Sequence, residues 1–133
     1  MFGLRSRPGL GGFVSLMFAC APNPQPCDVE LSRQVPSPSG QHSAVVFTKD
    51  CGATTRSTIG VAVVEASRTG IPDTQFVAFV MEDSAGGEKP FSDSAIPEWD
   101  SDSVLVVRYT HRGRTFRTTA RIGSVRVNYQ LTQ

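Results

Sequence analysis

Histidine, cysteine and long apolar runs are scarce in this chain, and each scarcity closes off a kind of chemistry. Only two histidines occur, His42 and His111, and the three cysteines, Cys20, Cys27 and Cys51, contain no C-x-x-C pair. A tetrahedral zinc site needs four clustered Cys or His ligands and a thioredoxin-like centre needs near-adjacent thiols, so no metal or cofactor is expected. Neither a glycine-rich phosphate loop nor a G-x-S-x-G elbow is present. No apolar run reaches the roughly 18 to 20 residues that a membrane-spanning helix requires. Charge of one sign is lacking too: 13 basic residues face 12 acidic ones, and a pI near 7.8 argues against a nucleic-acid binder, whose domain pI usually exceeds about 9. The 133 residues suit one domain.

The first 21 residues have the layout of an export signal. Arg5 and Arg7 form a basic start, and the short apolar run from Leu10 to Ala19 follows. Cleavage after Ala21 would place Pro22 next to the cut, an unfavourable position for ordinary signal peptidase. Met17-Phe18-Ala19-Cys20 instead resembles a bacterial lipobox, with Met17 in place of the usual Leu and a bulky Phe18, which makes Cys20 the candidate lipidation site. An ordinary secretory leader is the alternative. Residues 22–29 are a proline-rich spacer, stiff and extended, suited to holding a domain away from a membrane. The expected location is the bacterial cell envelope, in the periplasm and lipid-anchored, or outside the cell.

Residues 30–133 read as a single all-β domain, an antiparallel β-sandwich or a barrel-like meander of about seven strands. Short runs rich in β-branched residues alternate with Gly, Pro, Ser and Asp clusters, and no 3.6-residue apolar period persists. The expected strands are Glu30 to Val35, Ser43 to Lys49, Thr58 to Ala66, Gln75 to Met81, Val104 to Thr110, Thr115 to Ile122 and Val125 to Leu131. Short Gly-bearing links at 111–114 and 123–124 imply that the last three form an antiparallel meander. Residues 82–103, with Gly86-Gly87, Pro90 and Pro97, read as one long loop. Ser37-Pro38-Ser39-Gly40 and Trp99-Asp100-Ser101-Asp102 are similar four-residue segments, each ahead of an apolar strand, and read as two β-turns with shared chemistry.

From Ser37-Pro38-Ser39-Gly40 through Ala44-Val45-Val46-Phe47 to Asp50-Cys51-Gly52-Ala53-Thr54-Thr55, the chain resembles a group of small bacterial exported proteins. Their shared pattern is S-P-D-G-K, an apolar strand, then D-C-G-A-T-T. Ser39 and Gln41 depart from it, where the group has Asp and Lys. Cys27, Trp99 and Leu105-Val106-Val107-Arg108-Tyr109 match further parts of the pattern. The resemblance implies compartment and fold rather than an activity.

Four candidate features remain. Cys51 is either half of a disulfide with Cys27, as an oxidising compartment favours, or a thiol nucleophile with His42 or His111 as base. Thr54, Thr55, Arg56, Ser57 and Thr58 form a hydroxyl-rich run that reads as turn and strand chemistry. Acidic residues crowd 73–102, where Asp73, Glu82, Asp83, Glu88, Asp93, Glu98, Asp100 and Asp102 accompany only Lys89. Arginines dominate the rest, and period-two alternation puts Arg108, Arg117, Arg121 and Arg126 on one sheet face. That face is either an anion-binding surface, since guanidinium forks match phosphate and carboxylate, or an ordinary solvated one.

The expected function is a non-enzymatic binding or interaction module, held at the membrane by its lipid anchor, whose partner is an anionic envelope component or a protein rather than nucleic acid. A small periplasmic enzyme inhibitor acting through the acidic loop 82–103 is one alternative, and a cysteine-dependent enzyme using Cys51 is the other. Mass spectrometry of the mature protein from its native host should find an acylated N-terminal Cys20; a mature chain beginning at Pro22 contradicts that expectation.

Overall fold

Nine strands form among the residues that a computed structural model describes, namely 27–51, 57–83, 91–110 and 113–132. They are β1 (Asp28–Pro36), β2 (His42–Asp50), β3 (Thr58–Glu65), β4 (Val77–Asp83), β5 (Ala95–Ser101), β6 (Val104–Thr110), β7 (Gly113–Thr118), β8 (Arg121–Ile122) and β9 (Val125–Thr132). One sheet has the order β1-β2-β3-β4-β7 and the other β5-β6-β9-β8. The two pack face to face as a sandwich, and each keeps its own edge strands, so no barrel closes.

The core explains the packing. Val46, Ile59, Val61, Phe79 and Met81 from the five-stranded sheet meet Leu105, Val107, Val125 and Val127 from the four-stranded one, all essentially solvent-free. Phe79 lies at the centre, its ring 5.2 Å from that of Tyr109 and 5.8 Å from that of Tyr129. Aromatic pairs at such separations add about 0.5–1.5 kcal/mol beyond the area they bury. The strands of the five-stranded sheet carry a second apolar set on the opposite face, where Val45, Ala62, Val64 and Val77 are also buried. This is why β3 reads Ile59-Gly-Val-Ala-Val-Val64 as a nearly unbroken apolar run rather than an alternating one. Gly60 stands opposite Phe47 in the ladder, and the ring lies so close that a Cβ at position 60 would collide with it.

Several expectations change at the C-terminal end. β6, β7 and β9 do not form a meander: β6 pairs in parallel with β9, while β7 pairs antiparallel with β4 in the other sheet. Parallel neighbours require a crossover connection, and the chain supplies it by visiting the opposite sheet as β7 and returning as β8. The single expected strand Thr115 to Ile122 is therefore two strands, with the chain changing sheets between Thr118 and Arg121. The presumed loop 82–103 contains β5, in which Ala95 and Pro97 are buried and Trp99 is half-buried. Pro97 is tolerated because β5 is an edge strand with one bonded neighbour. β1 starts at Asp28, inside the expected spacer 22–29.

Where the chain changes sheets, the Ala78 carbonyl accepts from the Thr119 N–H at 2.8 Å and from the Tyr129 hydroxyl, also at 2.8 Å. The same hydroxyl lies 2.6 Å from the Thr119 carbonyl, so its one proton is shared between two acceptors. Val127 N–H donates to Ala120 O at 2.9 Å, completing the corner. Burial pushes the Tyr129 phenol well above its ordinary pKa, which keeps the proton it donates in place. Tyr129→Phe should lower unfolding stability by about 1 kcal/mol, because the Ala78 and Thr119 carbonyls lose the hydroxyl they share while the ring packing remains. Urea unfolding of the oxidised protein measures this.

Candidate anion-binding surface

Cys27, just before β1, is disulfide-bonded to Cys51, just after β2, so the bond closes the open end of the β1–β2 hairpin beside the Asp28–Asp50 pair. In the chain-entropy model a loop of about 25 residues contributes about 3.5 kcal/mol. The bond removes the Cys51 thiolate that a nucleophile requires, and His42 lies at the far end of β2 from Cys51. Cys20, His111 and the hydroxyl-rich stretch at Thr54 and Thr55 lie outside the described residues. Among the described residues no group of three His, Cys, Asp or Glu side chains is placed to hold a metal ion.

The four arginines do not share one face. Arg117 belongs to β7, in the five-stranded sheet, and its Nη1 donates to the carbonyls of Thr74 at 3.2 Å and Val77 at 3.3 Å. Alternation within a single strand cannot foresee this, because the chain changes sheets between Arg117 and Arg121. Arg108, Arg121 and Arg126 do share the outer face of the four-stranded sheet, with Arg108 opposite Gln130, four residues along β9 from Arg126: their strands' alternate residues Leu105, Val107, Val125 and Val127 fill the core behind them. Arg108 pairs with Glu98 of the neighbouring β5 at 3.1 Å, both about half exposed. Such a pair is worth about 0–1 kcal/mol, yet it neutralises that end of the face.

Arg121 and Arg126 differ. They are directly opposite each other in the β8–β9 pair, and neither has an acidic partner among the described residues. Like charges placed directly across strands oppose one another. An anion seated between the two guanidinium forks relieves that repulsion and accepts their hydrogen bonds. Asn128, two residues along β9 from Arg126, is exposed on the same face and adds a neutral donor.

The acidic residues are dispersed rather than gathered in a protruding loop. Asp73 meets Arg68 at 3.9 Å, Asp93 meets Arg33 at 3.5 Å and Glu98 meets Arg108. Glu88 lies outside the described residues. Trp99 to Ser101, expected as part of a turn, belong to β5, and the turn is at Asp102 and Ser103; the Asp102 Oδ1 accepts the Ser39 N–H of the turn before β2 at 2.7 Å. Beside it, the Trp99 indole N–H donates to the Val35 carbonyl at 2.8 Å, and the His42 and Trp99 rings stand 6.4 Å apart. The turn before β2 and the turn after β5 thus clasp the two sheets together at one end.

No protein-family model, curated protein or solved structure matches the chain.

The backbone N–H of Ser39 holds the Asp102 carboxyl below its ordinary pKa, with the Ser39 and Ser37 hydroxyls and the His42 charge adding to the effect. A carboxylate depressed in the folded state stabilises it above the unfolded pKa, and that contribution disappears as pH falls through the folded pKa. Asp102→Asn should therefore be less stable than the parent near neutrality. The gap should close as pH drops from about 4 downward, as thermal unfolding across an acid series can follow.

Proposed function

We propose that the protein is an exported, non-enzymatic interaction module of the bacterial envelope, anchored through an acylated Cys20, that meets an anionic partner with the Arg121–Arg126 end of its four-stranded sheet. The observation that carries the reading is the cross-strand arginine pair, two cations held side by side in the β8–β9 ladder with no acidic partner among the described residues. The Cys27–Cys51 bond suits an oxidising compartment. Among the described residues no helix is long and apolar enough to cross a membrane, which agrees with attachment through a lipid at the end of a proline-rich spacer. The inhibitor alternative has less support, since β5 and the ion pairs of Asp93 and Glu98 take up much of the segment 82–103.

The partner in this reading is an envelope anion such as lipid phosphate or acidic polysaccharide. Each exposed arginine contributes little alone, and salt screens beyond about 8 Å at physiological strength. Binding is therefore weak, multivalent and salt-sensitive. In vesicle co-sedimentation with non-acylated protein, anionic vesicles should retain more protein than neutral ones at low salt. The double variant Arg121→Ala, Arg126→Ala should lose most of that difference, whereas Arg117→Ala, on the other sheet, should keep it. Equal retention by both vesicle types contradicts the reading.

A further inference from the structure

Three of the five large apolar side chains exposed among the described residues, Leu31, Ile71 and Phe116, gather over the outer face of the five-stranded sheet. Their exposures of 47%, 61% and 52% are high for residues that adjoin a buried apolar cluster. Ile71 and Pro72, on the segment between β3 and β4, stand between two depressions on this face. The larger measures about 600 Å³, within the range of small-molecule sites. Val29, Phe47, Val77 and Val80 make its floor, and Ile71 and Phe116 wall it.

The bulge in the β4–β7 pair creates one of these walls. Val80 faces Arg117 and Met81 faces Thr115, so Phe116 is the extra residue on β7 and escapes the core that strand alternation would give it. Among the described residues the charged side chains lining the groove, Lys49 and Arg117, are both cations. Arg117 is held at the rim by the Thr74 and Val77 carbonyls, and both bonds use Nη1. The donors on Nε and Nη2 carry no bond to a described residue. Arg114, opposite Glu82 in the β4–β7 pair, holds its guanidinium 5.2 Å from the centre of the Phe116 ring.

We propose that this groove binds a single-chain fatty acid, with the alkyl chain on the Val29–Phe47–Val77–Val80 floor and the carboxylate at Arg117 and Lys49. The floor is a sheet face, where strand N–H and C=O groups are spent on the ladders, so it offers an extended peptide no backbone partners. An alkyl chain needs none. Lys49 and Arg117 at the rim favour an anionic head over a neutral or positive one. The site lies on the opposite sheet from Arg121 and Arg126, so either proposal can fail without the other.

The test is fluorescence titration of the oxidised full chain with cis-parinaric acid. The expected result is saturable enhancement, displaced by dodecanoate and far less by dodecanol or butyrate. Phe116→Ser and Ile71→Ser should each weaken binding about tenfold, and Lys49→Glu about fivefold. All three side chains are exposed, so thermal midpoints should stay near that of the parent. Absence of saturable enhancement, displacement by dodecanol as strong as by dodecanoate, or unchanged affinity in Phe116→Ser and Ile71→Ser overturns the proposal.

Discussion

The Ala78 carbonyl oxygen, taken up by the Thr119 N–H and the Tyr129 hydroxyl, fixes where the chain leaves one sheet for the other. Both candidate surfaces follow from that position. With the change made between Thr118 and Arg121, β7 stays beside β4 and leaves Phe116 and Arg117 over the outer groove. β8 then reaches β9 and sets Arg121 against Arg126. Tyr129 itself is placed by β9, whose parallel pairing with β6 exists only because the chain went out to β7 and back. A phenol kept protonated by burial suits this role, since ionisation would remove the donor that the Ala78 and Thr119 carbonyls share.

The two sheets solve the burial problem differently. The four-stranded sheet buries one face and sends Arg108, Arg121, Arg126 and Asn128 to the solvent. The five-stranded sheet is apolar on both sides, but the described residues cover only part of its outer side, chiefly with Phe76 and the segment leading to it. What they leave uncovered collects three large exposed apolar residues on one face. Exposed apolar surface gathered in this way marks interaction sites more often than the same residues scattered singly. The cross-strand arginines and the groove are thus separate features on opposite outer faces of the sandwich.

Charge in the linear sequence separates into an acidic middle and an arginine-rich end, yet the fold brings much of it back together. Glu98 on β5 lies beside Arg108 on β6 because the two strands are antiparallel neighbours. Asp93 meets Arg33, and Asp102 is spent on the Ser39 N–H. Arg121 and Arg126 keep their charge unmatched among the described residues because the β8–β9 hairpin aligns them with each other rather than with an acid.

The sequence by itself determined the all-β class, the positions of β1 to β4, β6 and β9 to within a few residues, and the Cys27–Cys51 candidate pair. Each rests on information local to a strand or on cysteine chemistry: β-branched runs, breaker clusters and an oxidisable pair flanking a hairpin. β5 was hidden because Pro97 and three acidic or polar neighbours look like loop chemistry until an edge position makes them acceptable. Only the tertiary structure decided which arginines share a face, why Phe116 points outward and where the groove lies. Alternation reports sides only within one uninterrupted strand, and the change of sheet after Thr118 and the bulge at Phe116 are settled by contacts with Ala78, Tyr129 and β4, which are distant in sequence and carry no local pattern.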